Sequence, residues 1–519
     1  MTTDLPLTID SSLLAALRQD LVAAKYTVES VAELLGPMAD AAMHREQQVP
    51  ALLVTERSDA PTLVLLRLFT LGQPVRTDGL GRVLPRLGID GAVQLGLVES
   101  MLIDGVEHVR PLVDLRPYAA VDDVGAMRWW LASDLGELAT GRALHANHVL
   151  GAGGASLTLA AITMREPVGR TLDIGTGCGI QALHAARHSR EVVATDLSQR
   201  ALNFASFNAE LNDVHNISFR HGSMLDPVRG EVFDLVVSNP PFVITPRQSD
   251  AIPDYEYRDG GRAGDSLVEE LVTGIADVMA PGGAAQLLMN WEHHRGEPWQ
   301  ERIGRWLDTT PLNAWVVQRE ILDPAEYAET WLRDGGITAE RESGQWQAGY
   351  EAYLRDFAAR GVTAVGMGMV LLHHPAASKE VARPAWRRLD EHPGTVAQPL
   401  GPVFAAGLRM QEFLSSAGDE QIAALRCVVA VDVTEERYYR PGQADPAVVM
   451  LRQGGGFQHS VHVSSAVAAV VGASDGELTV GQLLSAVASL TDQDAAALAA
   501  EVFPAIRGLL ADGLLTIDR

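Results

Sequence analysis

The sequence predicts an α/β protein: a doubly wound, mostly parallel sheet in the middle of the chain, with a smaller α+β domain on each side. Three observations predict it. Strand and helix patterns alternate between about residues 170 and 290. A glycine-rich turn follows the first of these strands, where a sheet of this kind holds its ligand. Both flanks carry apolar residues at helical spacing followed by short strands.

The 519 residues exceed the roughly 250–300 at which one hydrophobic core stops growing, so several domains are expected. We divide the chain into residues 1–135, 136–375 and 376–519. In the first region Leu14, Leu17, Leu21, Val28, Val31, Leu34 and Leu35 recur at helical spacing, and Thr27 is placed to cap a second helix. Pro61 opens another helix at a position where proline is tolerated. Residues 92–98 read as a helix ending at a turn, and 109–113 and 128–132 as strands. On that second strand Trp129 and Trp130 point to opposite faces, one of them into the core. Helices followed by a hairpin suggest a winged-helix-like module. No cluster of Lys or Arg marks it, so packing is favoured over nucleic-acid binding.

In the middle region strands are expected at 170–174, 192–196, 217–221, 233–238, 284–290 and 362–373. Helices are expected at 179–188, 198–212 and 267–279, with a mostly helical insertion at about 324–360. This alternation implies parallel strands joined by crossover helices. In the third region 480–484 and 502–515 carry helical spacing, Gly513 is a candidate C-cap, and Leu514-Leu515 lead into a strand. A second winged-helix-like unit is expected there.

The balance of 41 Lys+Arg against 66 Asp+Glu gives a formal net charge of −25. Such a surface repels phosphate backbones at long range and argues against a non-specific nucleic-acid binder. Two cysteines, Cys178 and Cys427, exclude a disulfide framework and a cysteine-rich zinc site. His293 and His294 are adjacent, so their rings cannot share one strand face, and no metal is expected. No apolar run reaches the ~18–20 residues that span a bilayer. The first residues lack the basic and apolar regions of a leader. The expectation is a cytoplasmic protein with no membrane partner; nothing in the sequence speaks to oligomeric state.

The glycine-rich turn is Leu172-Asp173-Ile174-Gly175-Thr176-Gly177-Cys178-Gly179. Glycine suits a backbone that must turn tightly and approach a ligand closely. Alone, this turn fits a dinucleotide, a nucleotide phosphate or the methionine half of S-adenosylmethionine. The next strand ends at Asp196, ~20 residues past the glycines, where a carboxylate can accept both ribose hydroxyls. Cys178 reads as small packing rather than a nucleophile, having no His or Lys beside it.

The strand at 233–238 runs into Asn239-Pro240-Pro241-Phe242. A planar amide or aryl-amine nitrogen has a delocalised lone pair and attacks poorly. The Asn239 side-chain carbonyl and the Pro240 main-chain carbonyl can accept its two N–H groups and turn the lone pair outward. The prolines fix φ, and Phe242 offers a face for a planar target.

With these motifs the middle region, roughly residues 140–295, resembles the class I, Rossmann-like S-adenosylmethionine-dependent methyltransferases. It is similar to the group acting on release-factor glutamine or on amino groups of RNA and DNA. The resemblance implies S-adenosyl-L-methionine as cofactor, cradled by Gly175, Gly177 and Gly179 with Thr176 beside them. It implies that Asp173 orders the turn and that Asp196 and Leu197 hold the adenosine. Asn239 would border both the cofactor and the acceptor.

Asn208 and Asn212, and the stretch from Tyr257 to Asp265, resemble the glutamine branch. A protein glutamine is therefore placed ahead of an exocyclic amino group of guanine or adenine in RNA or DNA. A small-molecule acceptor and an inactive cofactor-binding scaffold stand as alternatives. Two departures stand out. Gly222-Ser223-Met224 lies where the family often has an acid near the adenine, leaving Ser223 and Met224 as the contacts. Phe242 stands where tyrosine is common in the glutamine branch. Upstream, His148 or Ser156 either meets the cofactor carboxylate or lies in a glycine-rich connector.

Overall fold

The computed structural model describes residues 7–141, 144–247, 252, 258–376 and 384–517. Its centre is one eight-stranded sheet. The strands are β1 (Val168–Ile174), β2 (Ser189–Asp196), β3 (Ile217–His221), β4 (Phe233–Ser238), β5 (Met279–His294), β6 (Asn313–Leu322), β7 (Val362–His373) and β8 (Arg387–Glu391). Their order is β8-β6-β7-β5-β4-β1-β2-β3. Strands β1 to β5 pair in parallel. Strand β7 runs antiparallel between β5 and β6, and β8 runs parallel to β6. The order reverses between β1 and β4, which opens a crevice at their carboxyl ends. Val192, Val193 and Ala194 are wholly buried in succession, as expected of a parallel strand covered on both faces.

Helix α1 (Ile180–Ala186) follows β1 and α2 (Gln199–Leu211) follows β2. Helix α3 (Ser266–Gly274) ends five residues before the expected 279, because a tight turn at Ile275–Val278 intervenes and Met279 already belongs to β5. Strand β5 is longer than the expected 284–290. Its polar end at His293 and His294 stays in the sheet through pairing with β7. Three elements were not anticipated: α4 (Trp299–Asp308), β6 and β8. The apolar stripe of α4, Trp299, Ile303, Trp306 and Leu307, is regular but short. Strands β6 and β8 mix charged and apolar residues, and their place is set by neighbours distant in sequence. Helices α5 (Pro324–Asp334) and α6 (Ser343–Arg360) follow, joined at the expected insertion.

Two compact units emerge: residues 1–160 with 166–391, and 161–165 with 392–519. This grouping differs from the expected division at 135 and 375. Trp129 and Leu131 share one core cluster with Cys178, Ile180, Phe204 and Phe207. The sheet continues to Glu391, so it does not end at 375.

At the start of the first unit, Ser11–Ala23 and Val28–Met43 are helical, capped by Asp10 and Thr27. Strand Val98–Ile103 pairs with Val106–Pro111, which pairs with Val75–Arg76. The segment 92–98, read as a helix ending at a turn, is the end of helix Gly88–Gln94, a turn at 95–97 and the first residue of strand Val98–Ile103. A second hairpin joins Asp114–Asp122 to Gly125–Ser133. Trp129 is buried there, while Trp130 is half-buried and donates its indole N–H to the Tyr26 carbonyl at 2.7 Å.

In the second unit, strands Asp475–Thr479, Arg426–Val429 and Leu515–Ile517 form one small sheet, and Val433–Tyr438, Val448–Gln453 and Ser460–Val463 another. Helices Val480–Thr491 and Ala495–Ala511 pack on the first. Both flanks thus contain the order helix, strand, helix, helix, strand. Among the described residues no helix is long and apolar enough to cross a membrane.

Candidate active site

The glycine turn leaves β1 and is tied to the end of β2. Gly175 and Thr176 N–H both donate to the Thr195 carbonyl, at 2.9 and 3.0 Å. Gly177 has φ +55°, and a Cβ there would meet nothing within 4 Å. Gly179 has φ +87° and starts α1, and a Cβ there would lie 2.9 Å from the Ala205 Cβ of α2. The two glycines are therefore needed for different reasons: Gly177 keeps the turn open, and Gly179 lets α1 and α2 pack closely.

Asp173 is buried at the end of β1 and accepts the Thr176 hydroxyl at 2.6 Å. Burial pushes its carboxyl up from 3.8 to about 7. Asp196 accepts Gly177 N–H at 2.9 Å and Ser198 N–H at 2.8 Å, which locks the turn to the following loop. Burial also raises the Asp196 carboxyl above its ordinary range. Leu197, next in sequence, is 62% exposed, an apolar side chain held open beside the crevice.

A cavity of about 340 Å³ occupies the carboxyl ends of β1, β2 and β4. Asp173, Gly175, Thr176 and Gly177 border it on one side. Asp196, Leu197, Ser223 and Met224 border it as well, and so do Asn239 and Pro241. Gly179, Pro240 and Phe242 do not border it. The Pro240 carbonyl, one expected acceptor, already takes the Phe242 N–H at 2.7 Å. Phe242 meets Trp331 of α5 edge-to-face, with ring centroids 6.4 Å apart. The Asn239 Oδ1 atom is buried without a hydrogen-bond partner.

The loop after Asn239 is braced by α5. Ile244 N–H donates to the Tyr327 hydroxyl oxygen at 2.9 Å, and Asn290 Nδ2 of β5 donates to the same atom at 3.1 Å. The segment from Arg258 to Asp265 returns along this loop; Tyr257, part of the motif, lies outside the described residues. Asp265 anchors its end, accepting Glu292 N–H at 2.8 Å and Arg302 Nε at 3.0 Å.

His148 and Ser156 also border the cavity. Burial lowers the His148 imidazole below its ordinary range. Asp134 fixes this rim: it accepts Val149 N–H at 2.8 Å and pairs with Arg200. Gln181 adds a further tie, donating to the Ser156 carbonyl at 2.7 Å. Asp134, Gln181 and Arg200 carry no local motif and were not anticipated. Cys178 is buried, and desolvation pushes its thiol up to about 11, which suits packing. His293 and His294 bond to Gln318 and Glu292 instead of a shared centre. Among the described residues no group of three or more His, Cys, Asp or Glu could hold a metal ion.

Asn208 and Asn212, expected as a mark of the glutamine branch, do not border the cavity. Asn208 accepts Ala132 N–H at 2.7 Å and donates to the carbonyls of Ala132 and Cys178 at 2.9 and 2.8 Å. Asn212 pairs in the same way with Trp130, at 2.9 and 2.8 Å.

Five parallel strands, an antiparallel β7 beside β5 and a glycine turn at the reversal point make the middle of the chain a Rossmann-like α/β domain. Residues 147–254 match the family model of the methyltransferase small domain. Residues 23–109 and 405–517 each match a domain of unknown function. The chain is 39% identical over 125 residues to a release factor glutamine methyltransferase of Deinococcus radiodurans, covering 23% of this chain and 44% of that one. It is 30% identical over 122 residues to a putative protein N5-glutamine methyltransferase of Methanocaldococcus jannaschii, covering 23% and 60%. It thus spans about half the length of the curated relatives it matches. The crystal structure of a ribosomal protein L11 methylase from Lactobacillus delbrueckii subsp. bulgaricus aligns with 23% identity, 31% and 72% coverage and a TM-score of 0.23.

Proposed function

We propose that the chain transfers a methyl group from S-adenosylmethionine to a planar amide nitrogen, the side chain of a protein glutamine. The unpartnered, buried Asn239 Oδ1 at the edge of the cavity carries this reading. A buried carbonyl without a donor is costly unless a ligand supplies one. The cavity fits the cofactor on its own terms: an open glycine turn, the buried Asp173 and half-buried Asp196 carboxyls, and an exposed apolar Leu197. Asp196 would take the ribose hydroxyls, Leu197 and Met224 the adenine faces, and the turn at Gly175 to Gly177 the methionine half. When bound, S-adenosylmethionine supplies a methyl group activated by a positively charged sulfur. Asn239 holds an acceptor N–H and turns the nitrogen lone pair toward that methyl group.

The names of the relatives support glutamine as acceptor, and the acidic composition favours a protein partner over RNA or DNA. In this reading the flanks are winged-helix-like modules that select the partner, and the protein acts in the cytoplasm. The test is transfer of a labelled methyl group into cell extract, fractionated into protein, RNA and small solutes. Label should enter protein. Label in RNA would move the acceptor to a base amino group. Asn239→Ala should abolish incorporation while calorimetry shows cofactor affinity within about threefold of wild type; retained turnover would refute the role of Asn239.

A further inference from the structure

Residues 259 to 262 form one wall of the cavity that Asn239 borders. This wall is fixed to the transfer motif: residue 259 bridges Phe242 in antiparallel fashion, and Val243 N–H donates to the Arg258 carbonyl at 2.8 Å. Arg247 clamps both of its ends, donating from Nε to the Arg262 carbonyl at 2.8 Å and pairing with Asp259 Oδ1. Gly261 N–H donates to the same oxygen at 2.9 Å. The Asp259 side chain is 3% exposed, and its Oδ2 is buried with no hydrogen-bond partner. Gly261 has φ +70°, and a Cβ there would meet nothing within 4 Å. Among the described residues Arg262 is engaged through Nε alone, with the Glu270 carboxylate at 3.1 and 3.2 Å, and both side chains are more than half exposed.

A buried carboxylate oxygen without a donor calls for one from a ligand. Arg247 already balances the Asp259 charge, so a neutral N–H is enough. An ion pair as exposed as Arg262 with Glu270 is weak, so the guanidinium can turn to a ligand carbonyl. Between the two lies Gly261, where a ligand backbone can come close. An acceptor, a bare backbone and a donor along one wall match the N–H and C=O groups that alternate along an extended chain. We propose that residues 259–262 hold the main chain of an extended peptide that carries the target glutamine. Asp259 Oδ2 accepts one main-chain N–H, and the Arg262 guanidinium donates to one main-chain carbonyl. The target's own N–H groups stay with the Asn239 side chain and the Pro240 carbonyl, which keeps a second lone pair beside the one that takes the Phe242 N–H. This rests on the protein-glutamine reading above and deepens it. The glutamine then lies in an extended segment and not within a helix, whose main-chain groups are already paired.

The test measures incorporation of labelled methyl against a dilution series of extract protein at saturating S-adenosylmethionine. In Asp259→Asn, Arg247 and Gly261 N–H keep the amide oxygen at the Oδ1 position. An NH₂ then takes the place of Oδ2, and a donor meets a donor. The protein concentration giving half-maximal incorporation should rise about 10- to 100-fold, the loss expected for one hydrogen bond to a charged group. The maximal rate, and cofactor affinity by calorimetry, should stay within about threefold of wild type, because the contact is the same before and during transfer. Arg262→Ala should show the same split, and Arg262→Lys, which keeps a donor, less of it. Unchanged half-saturation in both Asp259→Asn and Arg262→Ala overturns the assignment. A fall in maximal rate or in cofactor affinity without a shift in half-saturation also overturns it, by placing this wall on the transfer step or on the cofactor. Where Asp259→Asn does not fold, Arg262→Ala decides by the same split. Label in RNA overturns the assignment too, since no peptide main chain is then present. Full activity of Asn239→Ala, or no incorporation by the wild type, sinks the underlying reading itself. An inactive Asn239→Ala beside wild-type half-saturation in both wall variants sinks only the peptide assignment.

Discussion

The side chain of Asn208 completes the edge of a strand: its amide exchanges two hydrogen bonds with the backbone of Ala132, at 2.7 and 2.9 Å. Its remaining donor reaches the Cys178 carbonyl in the glycine turn. One fully buried amide thus ties the hairpin at 114–133 to helix α2 and to the glycine turn that borders the cavity. Asn212, one helical turn later, repeats the exchange at Trp130. Helical spacing of four residues meets strand spacing of two, so both amides face successive open positions of the same strand edge.

Asn208→Ala leaves the Ala132 N–H and two carbonyls without partners in the interior. It should destabilise the protein by about 2–4 kcal/mol in urea unfolding. Asn212→Ala, at a half-buried position, should cost less. Equal and small effects from both would remove the amides from the structural account.

The Asp173 carboxyl, held at about 7 by burial, predicts a pH dependence of cofactor binding. A cationic ligand favours the carboxylate, so the proton must leave on binding at lower pH. Affinity for S-adenosylmethionine should fall about tenfold from pH 8 to pH 6, with proton uptake by the buffer visible in calorimetry. The sign for stability is opposite. The folded carboxyl ionises at about 7 and the unfolded one at about 3.8, so the ligand-free protein loses stability as pH rises between these values. Asp173→Asn should flatten both profiles; an unchanged melting profile would rule out this carboxyl as the source.

Gly177→Ala and Gly179→Ala should separate binding from folding. Both require a left-handed backbone, at a cost of about 1–2 kcal/mol for alanine. At Gly179 the new methyl also meets the Ala205 Cβ and Cα, 2.9 and 3.0 Å away, and forces α1 from α2. Overpacking adds about 1–3 kcal/mol, so Gly179→Ala should lower the melting temperature more. Gly177→Ala faces open space bordering the cavity and should chiefly weaken the cofactor. The reverse ranking of melting temperatures would contradict this division.

Tyr327→Phe removes the oxygen that takes Ile244 N–H and Asn290 Nδ2. Two buried donors then lack a partner, at about 1–3 kcal/mol each. The loop beyond Asn239 should loosen: methyl incorporation should drop while cofactor affinity holds. If both are unaffected, α5 does not brace the transfer loop.

The crevice was legible because its parts are local. The glycine turn, Asp196 and Asn239 each lie within a few residues of a strand end, and a parallel sheet brings such ends together by topology alone. The strands read best where they are continuous apolar runs, as at Val192 to Ala194. Strands β6 and β8 were missed because pairing partners, not their own pattern, make them strands. Residues 92–98 hold a helix end and a turn, as read; only Val98 is already strand, which the pairing with Val106–Pro111 decides.

The sequence by itself determined the central α/β domain, the glycine turn and the Asn-Pro-Pro-Phe motif, because spacing along the chain fixes these. Tertiary structure decided which atoms remain free to act. It turned Phe242 onto Trp331 and spent Asn208 on a strand edge. It left one oxygen each on Asn239 and Asp259 unpartnered beside one cavity. Hydrogen-bond satisfaction is a property of the whole packed interior, so no reading of local pattern reaches it.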